Sequence, residues 1–404
     1  MPNSPDSASP GAARATLERL LAYCESQQWA GYDPYDALNS RALKTLPFLN
    51  SRIPRIAVTQ SLKRAPINIR PLMLIGKTRN AKAIALFLSS FVRLSKVDRI
   101  HEMVQALTAL SSRDVPYWCW GYSFPWQTRT RVVPAGAPNL VCTCFVANAL
   151  LDVYDANGAS NCLIMAVSAA EYILNELYWS EGDDAGFSYP QPGSRVQTHN
   201  ANLLGAALLC RVFRATGDAR FLGPALTVAR LSASRQEPDG SWWYGEEPTQ
   251  RWIDNFHTGY NLCALHAIGR YARTEEFGPS LRRGLAFYRQ QFFCEDGAPR
   301  YFHDRTYPID IHCVAQSIIT LVELKDLDPD ALRDAHAVLR WAMQHLWDPR
   351  GYFYYQMLRF YTIRTPYMRW SQAWMVLALS TLLEDSLAIA RPARGRVVRE
   401  KVPA

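Results

Sequence analysis

The chain reads as an all-α protein, an (α/α)6 toroid, and three observations carry that expectation. A turn combining an acid, a glycine and aromatics recurs as DAGFSY from Asp184, DGSWWY from Asp239, DGAPRYF from Asp296 and DPRGYFY from Asp348, with the acids 55, 57 and 52 residues apart. Self-similarity at such a period marks stacked supersecondary units. Each turn leads through a short polar cluster into a helix-length segment nearly free of charge, and helices apolar on every side belong in an interior. Between these segments lie amphipathic stretches with an ordinary polar face, so inner and outer helices alternate.

Along the chain, residues 1–12 are rich in Pro, Ser and Ala, lack the apolar stretch of a signal peptide, and are expected to be a disordered leader. An outer helix follows at 12–29, then inner 80–94, outer 99–112, inner 139–154 and outer 161–179. The regular part continues with inner 203–215, outer 219–234, inner 260–272, outer 275–292, inner 314–324, outer 329–347 and inner 373–383. Six hairpins of this kind close into one domain over 13–388, and 389–404 form a basic tail expected to be disordered. An open solenoid is the competing architecture, but it does not require every inner helix to be so apolar. Strand-type alternation is nearly absent.

Composition excludes several classes of function. Nearly half of the 404 residues are hydrophobic and 20% are charged, so the chain buries a large core and is not disordered. No apolar run reaches the length of a transmembrane helix. Of the net charge of +8, the last fourteen residues supply +4, through Arg391, Arg394, Arg396, Arg399 and Lys401 against Glu400. The body shows no basic stripe interleaved with aromatics, so no nucleic-acid partner is expected. Nine cysteines, an odd number scattered through apolar stretches, point to buried thiols in a reducing compartment, hence the cytoplasm. Cys142 and Cys144 face different ways on one helix and make a poor ligand pair. No metal and no cofactor are expected.

The hairpin order places every aromatic turn on one rim, with the inner-helix N-termini opening into the same mouth. Twenty of the 48 aromatics fall in five loops totalling 33 residues (117–126, 187–189, 242–244, 301–307 and 352–361). Flat apolar faces with a polar edge suit sugar rings, and Trp120, Trp126, Trp242, Trp243, Tyr244, Tyr260, Tyr307, Tyr367 and Trp370 are the expected contacts. The alternative is rim loops packing on one another. Asp254 and Asp310, one repeat apart, open adjacent inner helices. Helix spacing sets their carboxyls roughly 6–10 Å apart, the range of an acid and base pair in an inverting glycosidase. The competing role for each is an N-cap. His257 and His312 follow them as candidate proton carriers, with His199 and Asn200 one repeat earlier. Arg369 and Gln372, like Gln127 and Arg129, are candidate clamps for an anionic group, or members of inter-helix salt bridges. Asp33 and Asp36 are further rim carboxylates, or Asp-Pro turn residues.

The strings WIDNFHTGYNL (252–262), YPIDIH (307–312), PYMRWSQAW (366–374) and WGYSFPWQTR (120–129) resemble proteins of bacterial exopolysaccharide and O-antigen gene clusters. Those are six-hairpin glycosidase-like toroids, similar to unsaturated glucuronyl hydrolases, alginate-lyase-type folds and the helical domain of glucuronyl C5-epimerases. The resemblance spans roughly 30–385. It implies a glycan or glycolipid substrate and polysaccharide-assembly partners, and it transfers no catalytic set. The string QEPDGSW (236–242) is similar to a terpenoid-cyclase repeat, but the D-x-D-D acid motif of that family is missing. The leading expectation is glycoside hydrolysis by Asp254 and Asp310, with His257 and His312 assisting. Uronate elimination, C5 epimerisation, glycan binding without catalysis, and isoprenoid processing are the alternatives.

Overall fold

The computed structural model describes residues 10–45, 51–128 and 131–390. Most of the leader and nearly all of the basic tail therefore lie outside the described residues, as does Arg129. Fourteen α-helices run through the described residues: α1 (Pro10–Ser26), α2 (Arg41–Lys44), α3 (Arg52–Arg64), α4 (Ala81–Arg93), α5 (Val97–Ala109), α6 (Leu140–Asn157) and α7 (Ser160–Tyr172). They continue with α8 (His199–Thr216), α9 (Leu222–Ser234), α10 (Asn255–Ala272), α11 (Gly278–Phe292), α12 (Ile311–Glu323), α13 (Ala331–His345) and α14 (Ala373–Ala390).

The inner ring packs α4 on α6, α6 on α8, α8 on α10, α10 on α12, α12 on α14, and α14 back on α4. Outer helices α5, α7, α9, α11 and α13 lie on the inner helices preceding them, and α1 lies on α14. The first and last helices of the chain thus complete one ring, which an open solenoid would leave unjoined. This is the (α/α)6 toroid. Inner helices are buried because they carry apolar or small residues on every side; α6, α8 and α12 are nearly continuous runs of buried residues.

The recurring acid turns have one local geometry in their last three copies. Asp239 Oδ1 accepts from the Ser241 amide at 2.9 Å, Asp296 Oδ1 from Ala298 at 3.0 Å, and Asp348 Oδ1 from Arg350 at 2.9 Å. Gly240 and Gly351 then take φ of +94° and +95°, where only glycine is unstrained. At each, the space a Cβ would need is taken by a carbonyl of an outer helix, Arg283 in α11 for Gly240 and Arg19 in α1 for Gly351. The last turn therefore docks on the first helix, a second closure of the ring.

Three departures from the sequence expectations stand out. The outer segment at 161–179 ends its α-helix at Tyr172, passes through one π-helical turn (Ile173–Leu177), and turns into a strand, Tyr178–Glu181, paired antiparallel with Asp184–Phe187. Other short strands border the loops, including Gln356–Met357 between Ile309–Asp310 and Thr362–Ile363. Helix α3 had no counterpart in the pattern. It is held by a small separate cluster of Ala37, Leu62 and Ile75, with Leu62 its one buried residue, so it carries no apolar stripe to reveal it. Among the described residues, no helix is long and apolar enough to cross a membrane.

Candidate active site

A cavity of about 410 Å³ opens at the N-terminal ends of the inner helices. All six inner helices of the ring contribute from or near their N-terminal ends. They supply Lys82 of α4, Val141 of α6, Asn200 of α8, the N-cap Asp254 with Phe256, His257 and Tyr260 of α10, His312 of α12, and Arg369 with Trp370 from the π-helical turn Met368–Gln372 that precedes α14. Among the described residues, twelve of the nineteen lining side chains are Phe, Tyr or Trp.

Asp254 caps α10 by accepting the His257 amide on Oδ1 at 3.0 Å. Its Oδ2 lies 2.7 Å from His257 Nδ1 and accepts the Trp252 indole N–H at 2.9 Å. A carboxylate only accepts, so Nδ1 carries a proton, and in the tautomer this selects the lone pair lies on Nε2. Among the described residues Nε2 has no protein partner, and the ring, partly exposed, faces the cavity. Tyr244 stacks on Trp252 at 4.5 Å and stands 4.6 Å from the His257 ring, which fixes the imidazole from a second side.

Asp310 caps α12 in the same manner, accepting the His312 amide at 2.8 Å, but it is fully buried and does not line the cavity. It also accepts from Trp370 Nε1 and Gln356 Nε2, each at 2.9 Å. Burial pushes its carboxyl up to about 6. His312 lies between the rings of Phe256 and Trp374, each 4.5 Å away, and its Nε2 shares a 2.7 Å hydrogen bond with the Tyr260 hydroxyl. Burial, then the charges of Lys82 and Arg369, lowers its pKa well below the usual range, so the ring is neutral at pH 7. Its Nδ1 is buried with no protein partner among the described residues. Lys82 Nζ sits over Phe145 at 4.0 Å, Trp374 at 5.1 Å and Tyr260 at 5.5 Å. Burial, with Arg369 adding to it, depresses its pKa far below that of an ordinary lysine.

The two N-terminal rim carboxylates do not reach the cavity. Asp33 forms a bidentate pair with Arg369, Nε to Oδ2 at 2.6 Å and Nη2 to Oδ1 at 2.8 Å, both residues buried. Asp36 binds Arg70 at 2.7 Å and accepts the Asp33 amide. Asp33 holds the guanidinium of Arg369, which lines the cavity beside Tyr122, and Asp36 closes the turn, the arrangement named above as the alternative to a rim position.

Other expected contacts lie in the wall or behind it. Trp120 is buried and donates to the Leu107 carbonyl, and Trp242 is buried with its indole on Ser232 and its ring against Gly284. Trp243 donates to Glu237, and Gln127 to the carbonyls of Thr128 and Arg131. His199 is buried against Glu246 at 2.8 Å, Tyr367 beneath Arg70, and Gln372 bonds the Phe353 backbone in both directions. Tyr307 is solvent-exposed away from the cavity. Trp120, Trp242 and Trp243 thus pack the loops on the helices or on one another. Trp126, Asn200, Tyr244, Tyr260, Arg369 and Trp370 do line the cavity, together with Asp254, His257 and His312. The residues not singled out beforehand are chiefly Lys82, Tyr35, Trp252 and Phe256. Trp252 and Phe256 flank Asp254 in sequence, which is the signal that could have found them; Lys82 offered none.

No family model and no curated protein matches the sequence. Many solved structures share the fold, among them several whose names are those of enzymes acting on sugars. A D-mannose isomerase is similar at 12% identity with a TM-score of 0.61, over 95% of this chain and all of that one. A sugar epimerase from a ruminal bacterium is similar at 12% identity and 0.60, over 77% and 90%. An unsaturated glucuronyl hydrolase from Streptococcus agalactiae is similar at 11% identity and 0.60, over 93% of each chain. These likenesses establish the shared toroid.

Proposed function

We propose that the protein is a carbohydrate-active enzyme that moves a proton at a sugar carbon beside a carbonyl or carboxyl group, with His257 as the base. The observation that carries this reading is the Asp254–His257 pair, in which a buried carboxylate fixes the tautomer and leaves Nε2 open to the cavity. Positioned general bases contribute about 10²–10⁴-fold to such steps. The Tyr260–His312 hydrogen bond supplies a second proton-handling group across the same cavity, able to serve the carbonyl oxygen as enolisation proceeds. The aromatic walls suit sugar-ring faces, and Arg369, held by Asp33 through Nε and Nη2, has Nη1 left to donate to a substrate oxygen. The epimerase and isomerase among the similar folds support the same chemistry.

Hydrolysis by Asp254 and Asp310 has weaker support. Each carboxylate already accepts three hydrogen bonds from the protein, and Asp310 lies behind Trp370. The test is solvent exchange: reducing sugars and uronates are incubated with the protein in D2O and followed by NMR. Deuterium at the carbon beside the carbonyl is expected, lost by about 10²-fold or more in His257→Gln and reduced less in Asp254→Asn. Release of a sugar from a glycoside with no exchange, undiminished in His257→Gln, would sink the reading.

A further inference from the structure

The small net charge of the body conceals a segregation. Between Asp36 and Asp98 the chain contains no Asp or Glu, while residues 41–79 contain Arg41, Lys44, Arg52, Arg55, Lys63, Arg64, Arg70, Lys77 and Arg79. Arg70 is taken up by Asp36. Among the described residues no carboxylate pairs with Arg41, Arg52, Lys63, Arg64, Lys77 or Arg79. The same stretch holds a run of the most exposed large apolar side chains: Ile53 at 78%, Ile67 at 70% and Leu72 at 81%. Residues 53, 57, 61 and 64 share the open face of α3 at helical spacing, and they are Ile, Ala, Ser and Arg.

This segment stands beside the mouth. Lys63 Nζ donates to the Tyr35 hydroxyl at 2.9 Å and lies 5.9 Å from the Trp370 ring, and both aromatics line the cavity. The hairpin that joins Gln356–Met357 to Thr362–Ile363 extends the same surface, because Tyr361 donates to the Arg64 carbonyl at 3.0 Å. It adds Arg359 and Phe360, the latter 86% exposed.

We propose that α3, the segment to Arg79 and the 358–361 hairpin tip form a docking surface for an anionic lipid bilayer, with the mouth of the toroid beside the membrane. Cations without carboxylate partners are attracted to acidic headgroups, and projecting Ile, Leu and Phe side chains enter the interfacial layer. A soluble polyanion would use the charges but gain nothing from the apolar tips, which is why a bilayer fits better than a nucleic acid or a free acidic glycan. The face stands apart from the proton-transfer reading, since docking needs no substrate.

Vesicle flotation of the full chain tests it. Floating with vesicles of phosphatidylcholine and phosphatidylglycerol in equal parts, but not of phosphatidylcholine alone, is the expected result, weakened by high salt. Two double variants, Leu72→Ser with Phe360→Ser and Arg52→Glu with Arg64→Glu, should each bind about tenfold more weakly or worse with an unchanged circular dichroism spectrum. Both pairs are surface side chains outside the cavity, and both variants retain the basic tail. Failure to float with acidic vesicles overturns the proposal, as does binding that neither variant alters. Binding to DNA as strong as to vesicles, with only the charge variant affected, overturns it in favour of a polyanion surface.

Discussion

Lys82 is the most unusual single residue in the protein, a lysine enclosed by Phe145, Tyr260 and Trp374 at the base of the cavity. Its lowered pKa has a definite sign for stability. The unfolded chain binds a proton that the folded chain resists, so the penalty is full below the depressed pKa and fades as pH rises toward the ordinary value of 10.5. Lys82→Met is therefore expected to raise the melting temperature at pH 7 and to flatten the rise in stability over that window, both read by thermal melts across pH. No sequence pattern marks this residue, because a lone lysine in the first turn of a helix ordinarily reaches solvent. Asp254 and His257 were legible for the opposite reason: an N-cap acid and a residue three positions later meet by local geometry alone.

Among the elements, the repeated acid turns show how a local signal can encode a long-range fit. Asp239 closes its turn through the Ser241 amide, and Gly240 continues it at φ +94° where the space a Cβ would need is taken by the Arg283 carbonyl of α11. Gly240→Ala adds a Cβ that collides with that carbonyl and forces a strained φ. A loss of about 1–3 kcal/mol in urea unfolding is expected, larger than for an alanine placed at exposed Gly223, where nothing lies within reach. The alternation of inner and outer helices was readable throughout, because burial on all sides and on one side produce different patterns. Helix α3 was not, since only Leu62 is buried and neither pattern applies.

In the whole molecule, closure is carried by pairs far apart in sequence. Arg369 and Asp33 lie 336 residues apart and form a buried bidentate pair where the last inner helix meets the first loop. Asp33→Ala leaves a buried guanidinium unpaired and is expected to cost about 3–5 kcal/mol, most of it recovered in Asp33→Ala with Arg369→Met. A double-mutant cycle in guanidinium checks the coupling. A closed ring should also unfold in one step, with tryptophan fluorescence and far-ultraviolet circular dichroism coincident, whereas an open array frays from its ends.

The repeat period and the apolar inner helices were enough to establish the toroid and to put Asp254, His257 and His312 in one mouth. Those features are local: periodicity, capping and turn chemistry depend on residues a few positions apart. The division of the rim aromatics into cavity-lining Tyr244 and wall-packing Trp242 was settled by folding, since neighbouring residues of one loop turn to opposite sides of the wall. The same holds for the demotion of Asp310 and Asp33 from the cavity to its support, and for the solitary amine of Lys82. Each depends on what a distant segment places beside it: Trp370 in front of Asp310, Arg369 across from Asp33, three rings around Lys82. Burial and pairing of this kind are sums over contacts between sequence-distant residues, and no window of the sequence contains them.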